Sequence, residues 1–219
     1  MRQVCVVGLG QFGGALARSL AKMGCEVLAI DQDEARVDDV RDHVHRALIG
    51  DARDFEVLRT VVSPTVQEAI ISLGAKNIEP SILCTLNMKR LGVPNIRSTA
   101  RNNDHAAILH AIGATEVIYP ERDAAERAAR RIANPGLIDM FPLADDYRIM
   151  EIVAPRKLAG KSLASLELRR TFDLLVIAIR EADSEHFQFL PAADAVIRAG
   201  QVLMILGREL DLARFAALD

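Results

Sequence analysis

The chain has no tryptophan, two tyrosines and seven phenylalanines in 219 residues. Half of its residues are hydrophobic, so a core is available without many aromatics. Cysteine is equally scarce. Cys5, Cys25 and Cys84 are scattered, odd in number and set in apolar or helical contexts. That pattern argues against a disulfide framework and for buried thiols in a reducing compartment. No apolar run approaches the ~20 residues that a membrane span needs. Arg2 and Gln3 lead straight into the first apolar run, leaving no signal peptide to expect. Basic residues number 27 against 30 acidic ones, a net charge of −3 without a basic block, which excludes the electrostatic footprint of a nucleic-acid binder. The expectation is a soluble, cytoplasmic chain whose membrane role, if it has one, comes through a partner.

The chain is rich instead in short apolar runs ended by glycine or aspartate. Val4-Cys5-Val6-Val7 precedes Gly8-Leu9-Gly10-Gln11-Phe12-Gly13. A helical stripe of Phe12, Leu16, Leu20 and Met23 follows, then Val27-Leu28-Ala29-Ile30 and Asp31. This is strand, glycine turn, helix, strand and carboxylate. Gly8 allows a tight turn, Gly10 lets backbone N–H groups approach a phosphate, and Gly13 lets the helix pack on the strand. Asp31 falls about twenty residues after the motif, where a carboxylate accepts hydrogen bonds from ribose hydroxyls; Gln32 follows it.

Further strands are expected at 47–50, 69–73, 95–100 and 116–119, alternating with helices at 34–41, 54–62, 77–91, 104–112 and 120–133. Six strands at this spacing predict a doubly wound, Rossmann-like parallel sheet. Its strands ending at Gly8, Asp31 and Asp51 would converge on one crevice. Asn134-Pro135-Gly136 is the strongest punctuation in the chain. It separates an expected nucleotide-binding domain over residues 1–134 from a small α+β domain over 142–219. The second domain is expected to hold strands at 148–154, 174–179, 186–190 and 202–206, and helices at 162–168 and 211–217.

The rival reading of the crevice is an NAD(P)-dependent oxidoreductase, which needs a proton donor beside the nicotinamide. Tyr119 is followed four residues on by Asp123, and Tyr147 by Glu151, so no Tyr-x-x-x-Lys pair exists. Neither a Cys–His nor a Ser–His arrangement accompanies the glycine turn. A binding module is therefore favoured over an enzyme. His43, His45, His105 and His110 lack metal-ligand spacing and read as structural or surface residues.

These signatures resemble a known family. Gly8 to Gly14, Asp31, Gly50-Asp51-Ala52, Gly74-Ala75, Ile112-Gly113-Ala114 and Pro120-Glu121-Arg122-Asp123 look like successive signatures of the RCK domain, which regulates potassium conductance. The tail, with Arg156 to Leu163 as its most characteristic piece, resembles the matching TrkA-C domain. The chain is thus similar to cytosolic regulatory subunits of Ktr/Trk-type potassium uptake systems. The resemblance implies a homodimer, assembled into an octameric ring at the inner face of the cell membrane, beneath a potassium-translocating membrane subunit. It implies gating by ATP/ADP or by NAD/NADH, with a divalent or monovalent cation at the nucleotide. Regulation of another transporter or antiporter is the neighbouring alternative. Carried over by motif, Gly8, Gly10 and Gly13 would hold phosphates and Asp31 the ribose. Asp51 and Ala52 would meet the adenine edge, although Asp51 also reads as a helix cap. Gly74 and Ala75 would line the crevice, and Arg101 would face the phosphates. Glu121 would sit near the terminal phosphate and its cation, although the helix dipole alone favours an acid there. Where many relatives carry arginine after the second glycine, this chain has Gln11, which cannot fork onto a phosphate. That favours ADP, AMP or a dinucleotide over ATP. Some relatives bind a cyclic dinucleotide at the C-terminal domain. Arg169 and Arg170 lie near the matching region, with the ill-suited Glu167 beside them.

Overall fold

The computed structural model describes residues 1–73 and 78–218, which form two compact units, Met1–Asp123 and Ala124–Asp219. In the first unit, β1 (Gln3–Val7), α1 (Gln11–Lys22), β2 (Glu26–Asp31), α2 (Glu34–Arg41), β3 (Arg46–Ile49), α3 (Phe55–Val61), β4 (Glu68–Ile71), α4 (Ile78–Arg90), β5 (Asn95–Thr99), α5 (Asn103–Ile112) and β6 (Glu116–Ile118) alternate as expected. The helix α6 (Pro120–Ala133) leads out of this unit. All strand pairs are parallel, in the order β3-β2-β1-β4-β5-β6.

The continuous apolar runs follow from this burial on both faces. On β1, Cys5 and Val7 pack with Leu58, Met88 and Ile96 on one side of the sheet. Val4 and Val6 pack with Ala17, Val37 and Val40 on the other. The strand order reverses between β1 and β4, which opens a crevice at their carboxyl ends. Gly8 makes that turn with φ +88, and a Cβ there would lie 2.1 Å from the Ser72 carbonyl oxygen. Gly13 works underneath: a Cβ on it would come within 1.9 Å of the Gly8 carbonyl oxygen. Helix α1 can sit so close to the strand end only because that atom is missing.

The second unit is an antiparallel sheet, ordered β10-β9-β11-β8-β7, with helices over it. Its strands are β7 (Leu137–Ala144), β8 (Tyr147–Val153), β9 (Leu175–Arg180), β10 (Gln188–Phe189) and β11 (Val202–Arg208). Short helices α7 (Leu163–Leu166) and α8 (Leu168–Phe172) and the terminal α9 (Glu209–Ala216) complete it. Phe172 and Phe215 meet edge to face, 6.0 Å between centroids, in a core shared with Met150, Ile152, Leu203 and Ile205. Two features depart from expectation. Strand β7 is not legible from the sequence because Pro142 stands within it; proline is tolerated there because β7 is an edge strand. The single helix expected over 162–168 is instead two, broken at Glu167, whose φ of 45 ends α7 and starts α8. Glu167 is then ion-paired with Arg170.

Among the described residues, no helix is long and apolar enough to cross a membrane.

Candidate functional site

A cavity of about 610 Å³ opens at the carboxyl ends of the first unit's strands. That is the size range of small-molecule sites. Gly8, Gly10, Gln11 and Phe12 line it from the β1–α1 turn, and Asp31 and Gln32 from the end of β2. Asp51 and Ala52 come from the end of β3, and Glu121 from the start of α6. The topology therefore brings nine of the thirteen expected positions to one cavity. Gly13 lies buried beneath it. The exposed Arg101 is not among the lining residues; its backbone N–H is directed at His105 Nδ1, 3.2 Å away. Gly74, Ala75 and Asn77 fall outside the described residues.

At the glycine turn, α1 begins with Gly10 as N-cap and no side chain caps it. The first N–H groups of the helix have no intrahelical acceptor and carry the positive end of its dipole. No acidic side chain occupies the first turn. Gly10 differs from its neighbours in the motif. A Cβ on it would meet no atom within 4 Å beyond its own chain neighbours and helix backbone, and Gly10 lines the cavity. Nothing in the protein fold demands glycine at this position, whereas a phosphate approaching the backbone would.

Asp31 is already engaged. Its Oδ2 accepts from the Leu9 N–H at 2.6 Å and lies 3.6 Å from Arg36 Nη1. Its Oδ1 accepts from the Asp33 N–H at 3.0 Å. The carboxylate thus ties the glycine turn to the end of β2. A carboxylate offers about four acceptor positions, so capacity for ribose hydroxyls remains. Asp51 is held more fully. Arg53 Nε donates at 2.9 Å to both carboxylate oxygens, Nη2 donates to Oδ2 at 2.6 Å, and the Arg53 backbone N–H donates to Oδ1 at 2.9 Å. The guanidinium hydrogen bond holds the Asp51 carboxyl below the usual carboxylate range.

Below the cavity, Cys84 is fully buried and desolvation pushes its thiol up to about 12, so it is a wall rather than a nucleophile. Arg36 and Arg53 were not expected, yet both line the cavity. The signal for Arg53 was its place two residues after Asp51, within reach of the same turn. That for Arg36 was its position one turn into the helix that follows Asp31.

A second network joins the start of α4 to the β5–α5 turn. His105 is buried, its Nδ1 accepts from the Arg101 N–H, and its Nε2 lies 2.8 Å from Ser81 Oγ. Ser81 in turn donates to the Ile78 carbonyl. The ring is therefore neutral with its proton on Nε2, and desolvation lowers its pKa below the usual histidine value.

Family models match the chain on either side of this structural division: the TrkA-N domain over residues 4–120 and the TrkA-C domain over 147–218. The chain belongs to the TrkA-N/TrkA-C family. Ktr system potassium uptake protein C of Bacillus subtilis (strain 168) is 35% identical over 214 residues, spanning 98% of this chain and 96% of that protein. The same organism's Ktr system potassium uptake protein A is 34% identical, spanning 98% and 95%. Among solved structures, the GsuK RCK domain superposes with a TM-score of 0.55 at 21% identity, covering 100% of this chain and 47% of that one. The GsuK channel bound to NAD does so with a TM-score of 0.51 at 20% identity, over 98% of this chain and 38% of that one. These likenesses establish an RCK fold for this TrkA-N/TrkA-C chain.

Proposed function

We propose that this chain is the nucleotide-sensing regulatory subunit of a potassium uptake system. The observation that carries the reading is Gly10, a cavity-lining glycine at an uncapped helix N-terminus that the protein's own packing does not require. Phosphate groups fill that space, Asp31 takes the ribose, and the base lies toward Asp51 and Ala52. The full-length kinship with Ktr system potassium uptake proteins supports potassium uptake as the process served. The NAD-bound and ADP-bound GsuK structures support an adenine nucleotide as the class of ligand.

The working modules are residues 1–134, which bind nucleotide, and 142–219. The chain works as a homodimer within a ring, cytoplasmic and held to the membrane by a potassium-translocating subunit. Helix α6 buries none of its residues within the chain, which suits assembly with another copy. Among the described residues no three His, Cys, Asp or Glu side chains converge on a metal position. Glu121 therefore offers a single carboxylate, which suits a cation shared with nucleotide phosphates. Gln11 at the first turn of α1 carries no charge toward a terminal phosphate, which favours ADP or a dinucleotide. The protein turns none of them over.

Calorimetric titration with ATP, ADP, NAD and NADH, combined with a turnover assay and light scattering, tests this. Binding without turnover by a dimer or larger ring is expected. Hydride transfer to a simple substrate, or a monodisperse monomer at micromolar concentration, refutes it.

A further inference from the structure

Arg53 is a cavity residue that neither the glycine turn nor the strand-end carboxylates account for. Its guanidinium is not a loose surface group. The guanidinium, half-exposed, is held on the Asp51 carboxylate through three contacts of 2.6–2.9 Å. Its backbone is fixed from the other side, because the buried Asn87 of α4 donates through Nδ2 to the Arg53 carbonyl at 2.9 Å. The Glu79 carboxylate, in the first turn of α4, stands near enough to favour the charge further. A planar cation thus lines the cavity together with Ala52, Pro80 and Cys84. Both oxygens of Asp51 are saturated in the process.

This arrangement changes what Asp51 does. A carboxylate whose oxygens already accept from a guanidinium is a weak reader of an exocyclic amine. Its role is to hold the arginine flat. We infer that Arg53 is the base-binding residue of the nucleotide site, a preorganised stacking plate for the ligand's adenine, and that Asp51 is its positioning residue. The inference rests on the nucleotide reading given above. The physical basis is that a guanidinium plane stacks on aromatic faces and is less strongly hydrated than an ammonium. Stacking of a base on a flat side chain is tolerant of base identity, so Arg53 supplies affinity for a purine face rather than a hydrogen-bond code.

The test is competition binding of two probes, ADP and ribose 5-diphosphate, which differ only in the base, to the full-length protein. Arg53→Ala is expected to weaken ADP roughly 5- to 100-fold and to leave ribose 5-diphosphate unchanged. Arg53→Lys keeps the charge without the plane and is expected to behave like Arg53→Ala. Arg53→Trp keeps a plane without the charge and is expected to retain ADP within a few-fold of wild type. Asp51→Ala releases the plate and is expected to weaken ADP but not ribose 5-diphosphate. Full affinity in Arg53→Lys, or equal losses for both probes in Arg53→Ala, overturns the inference while leaving the nucleotide site intact. Wild-type protein that binds neither probe overturns the nucleotide reading itself, and the inference with it.

Discussion

Asp31→Ala separates the structural and ligand-binding work of one carboxylate. Without ligand, Asp31 holds three partners. The Leu9 N–H belongs to a buried residue, and its 2.6 Å bond to a charged oxygen is the strongest of them. Deleting that acceptor costs about 1.5–3 kcal/mol. Arg36 is half-exposed, so its 3.6 Å pairing contributes at most about 1 kcal/mol. The exposed Asp33 turn adds a few tenths. A loss of about 2–4 kcal/mol is therefore expected in urea unfolding of the ligand-free protein. Asp31→Asn keeps an acceptor for Leu9 and is expected to lose about half as much. In calorimetric titration, removing a carboxylate that accepts from ribose hydroxyls weakens ADP by about 10- to 100-fold. The two effects separate because a phosphate-only probe, pyrophosphate, depends on the turn and not on the ribose contact. If Asp31→Ala weakens pyrophosphate as much as ADP, the carboxylate only shapes the turn and its assignment to the ribose is wrong.

Three other perturbations follow from the same geometry. Gly8→Ala places a Cβ 2.1 Å from the Ser72 carbonyl at φ +88, and a loss of about 2–5 kcal/mol is expected in denaturant unfolding; an unchanged midpoint refutes the turn geometry. Gln11→Arg adds a fork at the first turn of α1 and is expected to shift the ATP/ADP affinity ratio toward ATP by about tenfold or more; an unchanged ratio in paired titrations refutes the place given to Gln11. Burial lowers the His105 pKa in the folded state, so below about pH 6.5 the unfolded chain takes up a proton that the folded chain refuses. That increment of stability is fully present above pH 6.5 and is lost as pH falls toward the lower folded value. His105→Gln, which retains a donor and an acceptor, is expected to flatten the slope, and a wild-type slope in that variant refutes the assignment.

The parallel sheet and the carboxylates at its strand ends were legible because each rests on local chemistry. An apolar run followed by Gly8 or Asp31 specifies a strand and its stop whatever the rest of the chain does. Arg53 was adjacent in sequence to a recognised motif, but its backbone carbonyl is held by Asn87, more than thirty residues away, and no local pattern reports that. Arg101 follows β5 but is not among the residues lining the cavity, and its backbone N–H donates to His105 Nδ1. The break at Glu167 was hidden because glutamate is a good helix former, and only tertiary context places it at positive φ. Pro142 concealed β7, since proline excludes an interior strand but not an edge.

Asp31 and Asp51, at the ends of β2 and β3, illustrate how a nucleotide site can act as a sensor. Neither waits unpaired: Asp31 is bound to the glycine turn and Arg36, and Asp51 to Arg53. Under the proposed function, a nucleotide entering the cavity adds to or exchanges with bonds inside the protein instead of creating all of its contacts afresh. Each exchange returns only the difference between two hydrogen-bonded states, so the net gain per contact is modest. A regulator needs that property. Ligands can bias two states only by their differential affinity for them, and a shift from 1:99 to 99:1 takes about 5.5 kcal/mol in total. No single contact at this site supplies that alone. Gly10, Asp31 and Arg53, the proposed contacts of the phosphates, the ribose and the base, lie on three different strand-end turns. In that reading a ligand spanning them bridges all three turns, and one that lacks the terminal phosphate or the base leaves one turn unengaged. Discrimination between nucleotides then arises from which turns are bridged, which is why a change at Gln11 is expected to alter ligand preference while a change at Asp31 weakens every adenosine ligand alike.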